Sequence, residues 1–99
     1  MVIEWLEFRT SPERREDFVQ LDFEIWDPFL KAQAGFVRKE IWLDAADRGR
    51  IAIAVEWSDR DLWKSIPESQ ISERTEAFGA RFGDAYDLVS SQEFQVRKR

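Results

Sequence analysis

The chain of 99 residues contains no cysteine, no histidine and no asparagine. Without cysteine there is no disulfide, no thiolate nucleophile and no sulfur-ligated metal. Without histidine the usual neutral-pH base, the commonest transition-metal ligand, the ordinary proximal haem ligand and every imidazole-based hydrolase triad are excluded. Any chemistry must therefore run on carboxylates, Arg, Lys, hydroxyls, indoles or the one tyrosine, Tyr86. There is also no apolar run long enough to span a bilayer, and Met1 leads directly into strand-like sequence rather than a secretory leader. A cytoplasmic location without membrane contact is expected.

What is present suits one domain over residues 1–99: 43% of the residues are hydrophobic and 14% aromatic, too few in total for two cores. A net charge of −5 argues against a nucleic-acid partner, whose binding draws on cations that release counterions. The basic tail Arg97-Lys98-Arg99 is the local exception and reads as a solvated end.

Val2 to Arg9 carries the β-branched and aromatic residues of a strand. Ser11 can then cap a helix, with Pro12 at its first position and Glu13 at the positive end. Phe18, Leu21, Ile25 and Phe29 form its buried stripe, which Pro28 is expected to kink or end around Glu24 to Asp27. Phe36 to Leu43 and Arg50 to Trp57 form a hairpin around a polar turn. Setting Leu43 opposite Ile51 places Ile41 against Ile53, Val37 against Trp57 and Arg38 against Glu56. Ser58 or Asp59 caps a short helical turn that Pro67 stops. A second helix follows, with Ile71, Thr75, Phe78 and Phe82 as its inward stripe and Gly83 as its stop. Tyr86 to Val96 is the last strand.

The order βαββαβ is that of the ferredoxin-like α+β fold with one four-stranded antiparallel sheet. The strands carry bulk on both sides of the pleat, as Trp5 beside Leu6 and Trp42 beside Leu43 show, while two helices cover only one face. The economical cover for the other face is a second copy, so a homodimer through the sheet is expected.

The opening Met1-Val2-Ile3-Glu4-Trp5-Leu6-Glu7-Phe8, the segment Glu24-Ile25-Trp26 with Pro28 and Gly35-Phe36, Lys39-Glu40-Ile41-Trp42, and Trp57-Ser58 with Trp63-Lys64-Ser65-Ile66-Pro67 resemble a family of small bacterial proteins. That family is similar to the dimeric α/β-barrel superfamily, which includes antibiotic-biosynthesis monooxygenases and small haem-degrading oxygenases. The resemblance implies two sheets packed face to face in a homodimer, with a ligand cavity in each subunit between sheet and helices. It also marks a departure. The haem-degrading members rely on Asn, Trp and His, of which this chain has only Trp; the cofactor-free members often use Asn, Trp and Tyr, for which Trp63 and Tyr86 are partial counterparts.

Two constellations could carry function. Glu4 and Glu56 are expected near one end of the sheet; on one face they would resist joint ionisation and supply a general acid or base, whereas Arg38 opposite Glu56 would make an ordinary cross-strand ion pair instead. Trp26, Phe29, Trp63, Phe78, Phe82 and Tyr86 either line a cavity for a flat hydrophobic or aromatic ligand or fill the core. The pairs Asp44/Asp47, Asp59/Asp61 and Asp84/Asp87 match no calcium loop and suit turns and caps, so neither metal nor cofactor is expected. Two functional classes result. One is a small-molecule binder or cofactor-independent monooxygenase-like enzyme, with Trp63 for stacking, Tyr86 for hydrogen bonding and Glu4 or Glu56 for proton transfer; the other is an interaction or structural dimer whose aromatics are core.

Overall fold

The computed structural model describes residues 1–99. Four strands, β1 (Val2–Thr10), β2 (Phe36–Leu43), β3 (Arg50–Trp57) and β4 (Tyr86–Gln95), form one sheet in the order β2-β3-β1-β4. Every adjacent pair is antiparallel. A 3-10 turn (Pro12–Arg14) and helix α1 (Arg15–Lys31) connect β1 to β2, and helices α2 (Arg60–Lys64) and α3 (Glu68–Phe82) connect β3 to β4. This is the ferredoxin-like α+β arrangement. The extents of 36 × 31 × 19 Å, shortest across the layers, correspond to one helical layer on one sheet. No helix is long and apolar enough to cross a membrane.

The sheet separates two chemistries. Its helix-covered face carries Leu6 and Phe8 of β1 and Ile51, Ile53, Val55 and Trp57 of β3, which pack with Phe18, Leu21, Phe29, Leu30, Phe78 and Phe82 of the helices. The other face follows from the register: Ile3, Trp5 and Glu7 of β1 lie beside Ala52, Ala54 and Glu56 of β3, with Trp42 beyond them and Phe94 on β4. Trp5 and Trp42 meet there edge to face, with ring centroids 5.3 Å apart.

Three expectations are corrected. Helix α1 runs unbroken through Pro28 to Lys31. Phe29 and Leu30, just beyond the proline, are each 8% exposed. Burying two such side chains stabilises by about 3–6 kcal/mol, against a cost of about 3 kcal/mol for an interior proline, so tertiary packing carries the helix past it. The expected hairpin register holds from Leu43↔Ile51 to Arg38↔Glu56, but Phe36 rather than Val37 faces Trp57. A bulge absorbs one residue there and leaves Val37 41% exposed. The third concerns the tail, which is exposed over Arg97 to Arg99 as expected but is not free at its end: the half-exposed Arg99 pairs with Glu56.

Asp59, not Ser58, caps α2: its Oδ1 accepts from the backbone N–H of Asp61 at 2.7 Å and of Leu62 at 3.2 Å. The chain enters β2 through Gly35 at φ +86°, where an added Cβ would lie 2.9 Å from Leu62 Cβ, so glycine is needed both for its backbone angle and for the close approach of α2. Those two features place Trp63 over β3.

Candidate functional site

Between the helices and the sheet lies a cavity of about 360 Å³. Of its nineteen lining residues fifteen are hydrophobic; the polar ones are Glu4, Asp22, Lys39 and Thr75. Trp26, Phe29, Trp63, Phe78 and Tyr86 line it, as do the unanticipated Leu6, Trp57, Ile66, Ile71 and Leu88. Phe82 does not. It is 3% exposed and packs behind the wall on Phe18, Phe78 and Tyr86, with ring centroids at 5.7, 5.5 and 5.6 Å. The Phe82 carbonyl accepts a hydrogen bond from Arg14, whose guanidinium lies 3.8 Å above the Phe82 ring. Phe82 is therefore core, and the open space begins at Phe78.

The aromatic walls are organised by element. Trp63 of α2 lies nearly parallel to Trp57 of β3, 7° apart with centroids at 6.3 Å. Trp26 and Phe29, one helical turn apart on α1, meet edge to face at 6.0 Å. Tyr86 sits at the start of β4 against Phe8, Phe18 and Phe78. Burial and the Asp84 carboxylate push its phenol above the ordinary range, so it remains protonated and can donate a hydrogen bond at neutral pH.

The two carboxylates expected to act together are separated by the sheet. In the register Glu4 faces Val55 and Ile3 faces Glu56, so Glu4 points into the helix side and Glu56 to the other. Glu56 lies away from the cavity, 3% exposed, with its oxygens held by Arg38 at 3.1 Å and by Arg99. The cross-strand ion pair is the arrangement found, and Glu56 is not poised for proton transfer in the cavity. Glu4 is in the cavity wall. Its Oε1 accepts a hydrogen bond from Trp57 Nε1 at 3.2 Å, and burial pushes its carboxyl above the ordinary 4.5 despite that bond and the more distant Lys64 and Lys39.

A second polar feature was missed from sequence. Asp22 of α1 and Lys39 of β2, both nearly sealed from water, form an ion pair in the cavity wall, and Lys39 Nζ also donates to Asp27 Oδ1 at 2.7 Å. Burial raises the Asp22 pKa, with Lys39 opposing. The signal was there in the spacing: Asp22 lies four residues after Phe18 on the apolar stripe, and Lys39 has the parity of Ile41 and Leu43. One charge of each sign at inward positions marks a buried pair.

An α+β domain with a single ferredoxin-like sheet, an apolar cavity under its helices and few polar groups inside is the class of protein these features define. A family model for antibiotic biosynthesis monooxygenase matches residues 1–69, and the chain belongs to that family. No curated protein matches it. Among solved structures it is similar to SnoaB, a cofactor-independent oxygenase from Streptomyces nogalater, at 17% identity and TM-score 0.75, covering 99% of this chain and 94% of that one. A Deinococcus radiodurans protein classed with the antibiotic biosynthesis monooxygenases gives 16% identity, TM-score 0.74 and coverage of 100% and 95%. Rv0793 from Mycobacterium tuberculosis gives 17%, 0.68, and 99% and 96%. At these identities the likeness establishes the shared fold.

Proposed function

We propose that the chain binds a small, flat, apolar or aromatic molecule in the cavity between α1, α3 and the sheet. The observation that carries this reading is the cavity itself: about 360 Å³, within the range of small-molecule sites, with walls almost wholly hydrophobic and polar groups at a few fixed points. A filled aromatic core would leave no such space, because protein interiors close to near-crystalline density. Trp63, backed by the fully buried Trp57, offers an indole face for a ring to lie against, and the Tyr86 hydroxyl offers a donor. Three indoles in the wall, Trp26, Trp57 and Trp63, supply the readout. A panel of quinones, flavins, haem and polycyclic phenols should contain at least one member that shifts indole emission and raises the melting temperature. If every member leaves both unchanged, the cavity is not a binding site.

A second reading, a cofactor-independent monooxygenase, is favoured by membership of the family and by the fold shared with SnoaB. Oxygen consumption with an electron-rich phenol, in the absence of flavin or metal, separates a catalyst from a binder. The same proposal includes pairing of two copies through the helix-free face of the sheet, where Trp5, Trp42, Ile3 and Phe94 gather and no element of the subunit covers them.

A further inference from the structure

Lys39 lies between two spaces. On its inner side is the cavity; on its outer side, at the β2 edge, is a hollow of about 330 Å³ walled also by Leu30 and Asp27 of α1 and Phe36 of β2. The hollow opens to solvent, because Lys31, Val37 and Arg38 at its rim are exposed. Leu30 and Lys39 border both spaces, so together they are the wall between them. The two carboxylates that hold Lys39 are divided across that wall: Asp22 lines the cavity and Asp27 the hollow. Leu30, 8% exposed, is fixed by packing in the core, whereas the Lys39 ammonium stands at the end of a flexible four-carbon stem and is placed by its two ion pairs. A tie between α1 and β2 needs only one carboxylate. Two, one on each side of the wall, give the ammonium two destinations.

We infer that Lys39 is a movable partition: Asp22 holds it inward and shut, Asp27 draws it outward, and the cavity has a second, latched opening at the β2 edge. The latch goes beyond the binding reading and holds whatever the cavity takes. Outward is the better-hydrated position, since the Asp27 side chain is 20% exposed and that of Asp22 6%. Lys31 and Arg38, the cations of the hollow, oppose the swing, although Arg38 is drawn to Glu56 on the other face of the sheet. With both carboxylates ionised Lys39 bridges them; once the inner charge is removed, Asp27 is its one remaining partner and the partition moves. The competing role is a plain tie between α1 and β2. Either carboxylate serves a tie, so neutralising either weakens it alike, whereas a latch is released through Asp22.

The chain has no cysteine, so one placed beside the partition reports on it without background. Val55 is the cross-strand partner of Lys39, lines the cavity and is 1% exposed. The intact Val55→Cys protein, and the same protein carrying Asp22→Asn or Asp27→Asn, are reacted with 2,2′-dipyridyl disulfide, a thiol reagent that works in acid as well as at neutral pH, with glutathione as the reference thiol. Near pH 7, Asp22→Asn should speed modification by about tenfold or more, and Asp27→Asn should leave it within about twofold. Equal acceleration by both, no acceleration by Asp22→Asn, or acceleration that grows with urea as steeply as global unfolding does overturns the latch. Should Asp22→Asn not fold, acid makes the same change in the Val55→Cys protein. Burial holds the Asp22 carboxyl above its ordinary 3.8, with Lys39 opposing and Asp27 adding to the rise, so lowering the pH from about 7 to about 4 largely neutralises it. The other charged groups facing the triad are Glu4 of β1 on the cavity side and Lys31 and Arg38 on the hollow side. The rate relative to glutathione should rise on acidification, and should rise as much with Glu4→Gln added. A relative rate constant with pH, or a rise that Glu4→Gln abolishes, overturns the inference.

Discussion

A carboxylate responds to its surroundings in opposite directions, and three residues of this fold span the range. Glu93 on the exposed strand β4 accepts hydrogen bonds from Arg60 at 2.7 and 3.1 Å and has Lys64 at 3.4 Å, which hold it down at about 2. Glu4, opposite it on β1, has no paired cation, and burial pushes it up. Asp22 has a lysine and is still raised, because burial outweighs the Lys39 charge. The raised Glu4 has a consequence for stability. Its folded form holds a proton more tightly than the unfolded chain does, so the stabilisation present below the unfolded value is lost as pH rises through the folded one. Glu4→Gln keeps an acceptor for Trp57 and removes the charge, and should therefore raise the melting temperature near pH 7 and make little difference near pH 4. A variant less stable at neutral pH would show that the charge is worth keeping in the ligand-free protein. Lys39→Met is the opposite experiment. It strands Asp22 and Asp27 beside an apolar wall, and should cost about 3–5 kcal/mol in urea denaturation at neutral pH, recovering in part as the pH falls and Asp22 protonates. At this scale the sequence was only partly legible: it named Glu4 and Glu56 together because they lie at one end of paired strands, but strand parity sends them to opposite faces, and parity is settled by register rather than by proximity.

The elements were more legible than their interruptions. Strand and helix order follows from hydrophobic period, and the stripe Ile71, Thr75, Phe78 and Phe82 is the face that α3 turns inward, with the first three on the cavity and the last behind it. What local signals could not reveal was where packing overrules them. Pro28 lacks the N–H that would bond the Glu24 carbonyl, and its side lies exposed while Phe29 and Leu30 anchor the next turn. Pro28→Ala should then stabilise the protein, by up to about 3 kcal/mol, with no change in the denaturant slope. An unchanged or lowered midpoint would mean that the proline is accommodated without loss of helix hydrogen bonding. The bulge at Val37 is the other such case: a Phe36 ring on Trp57 at 6.0 Å replaces the smaller valine that strict alternation would put there, and the larger aromatic contact compensates for the broken ladder.

On the scale of the whole molecule, the helix-free side of the sheet is a surface made from two unlike parts. One is apolar, the Trp5–Trp42 pair with Ile3, Phe94 and the small Ala52 and Ala54 between them. Ala52 is only 5% exposed although no helix covers it, so the indoles themselves fold over the alanines. The other is the ion cluster of Glu56 with Arg38 and Arg99, which shields a buried carboxylate at the edge of that patch. A face of this kind suits a symmetric partner, because a flat centre of aromatics over alanines can meet its own copy while the charged cluster stays at the rim. Trp42 is 49% exposed in the single chain, and its loss uncovers only the small Ala52 beside it. Under the proposed pairing, Trp42→Glu should leave the melting of the chain and the cavity on the opposite face nearly unchanged while shifting light scattering from dimer to monomer, since a charge within an apolar interface costs several kcal/mol without a counter-ion. A wild type that scatters as a monomer at micromolar concentration removes the second copy from the account and leaves the two indoles to shield Ala52 and Ala54 within the subunit alone. A variant that stays dimeric places the contact on another surface, the exposed flank of β4 with Leu88 and Val89 being the next apolar one.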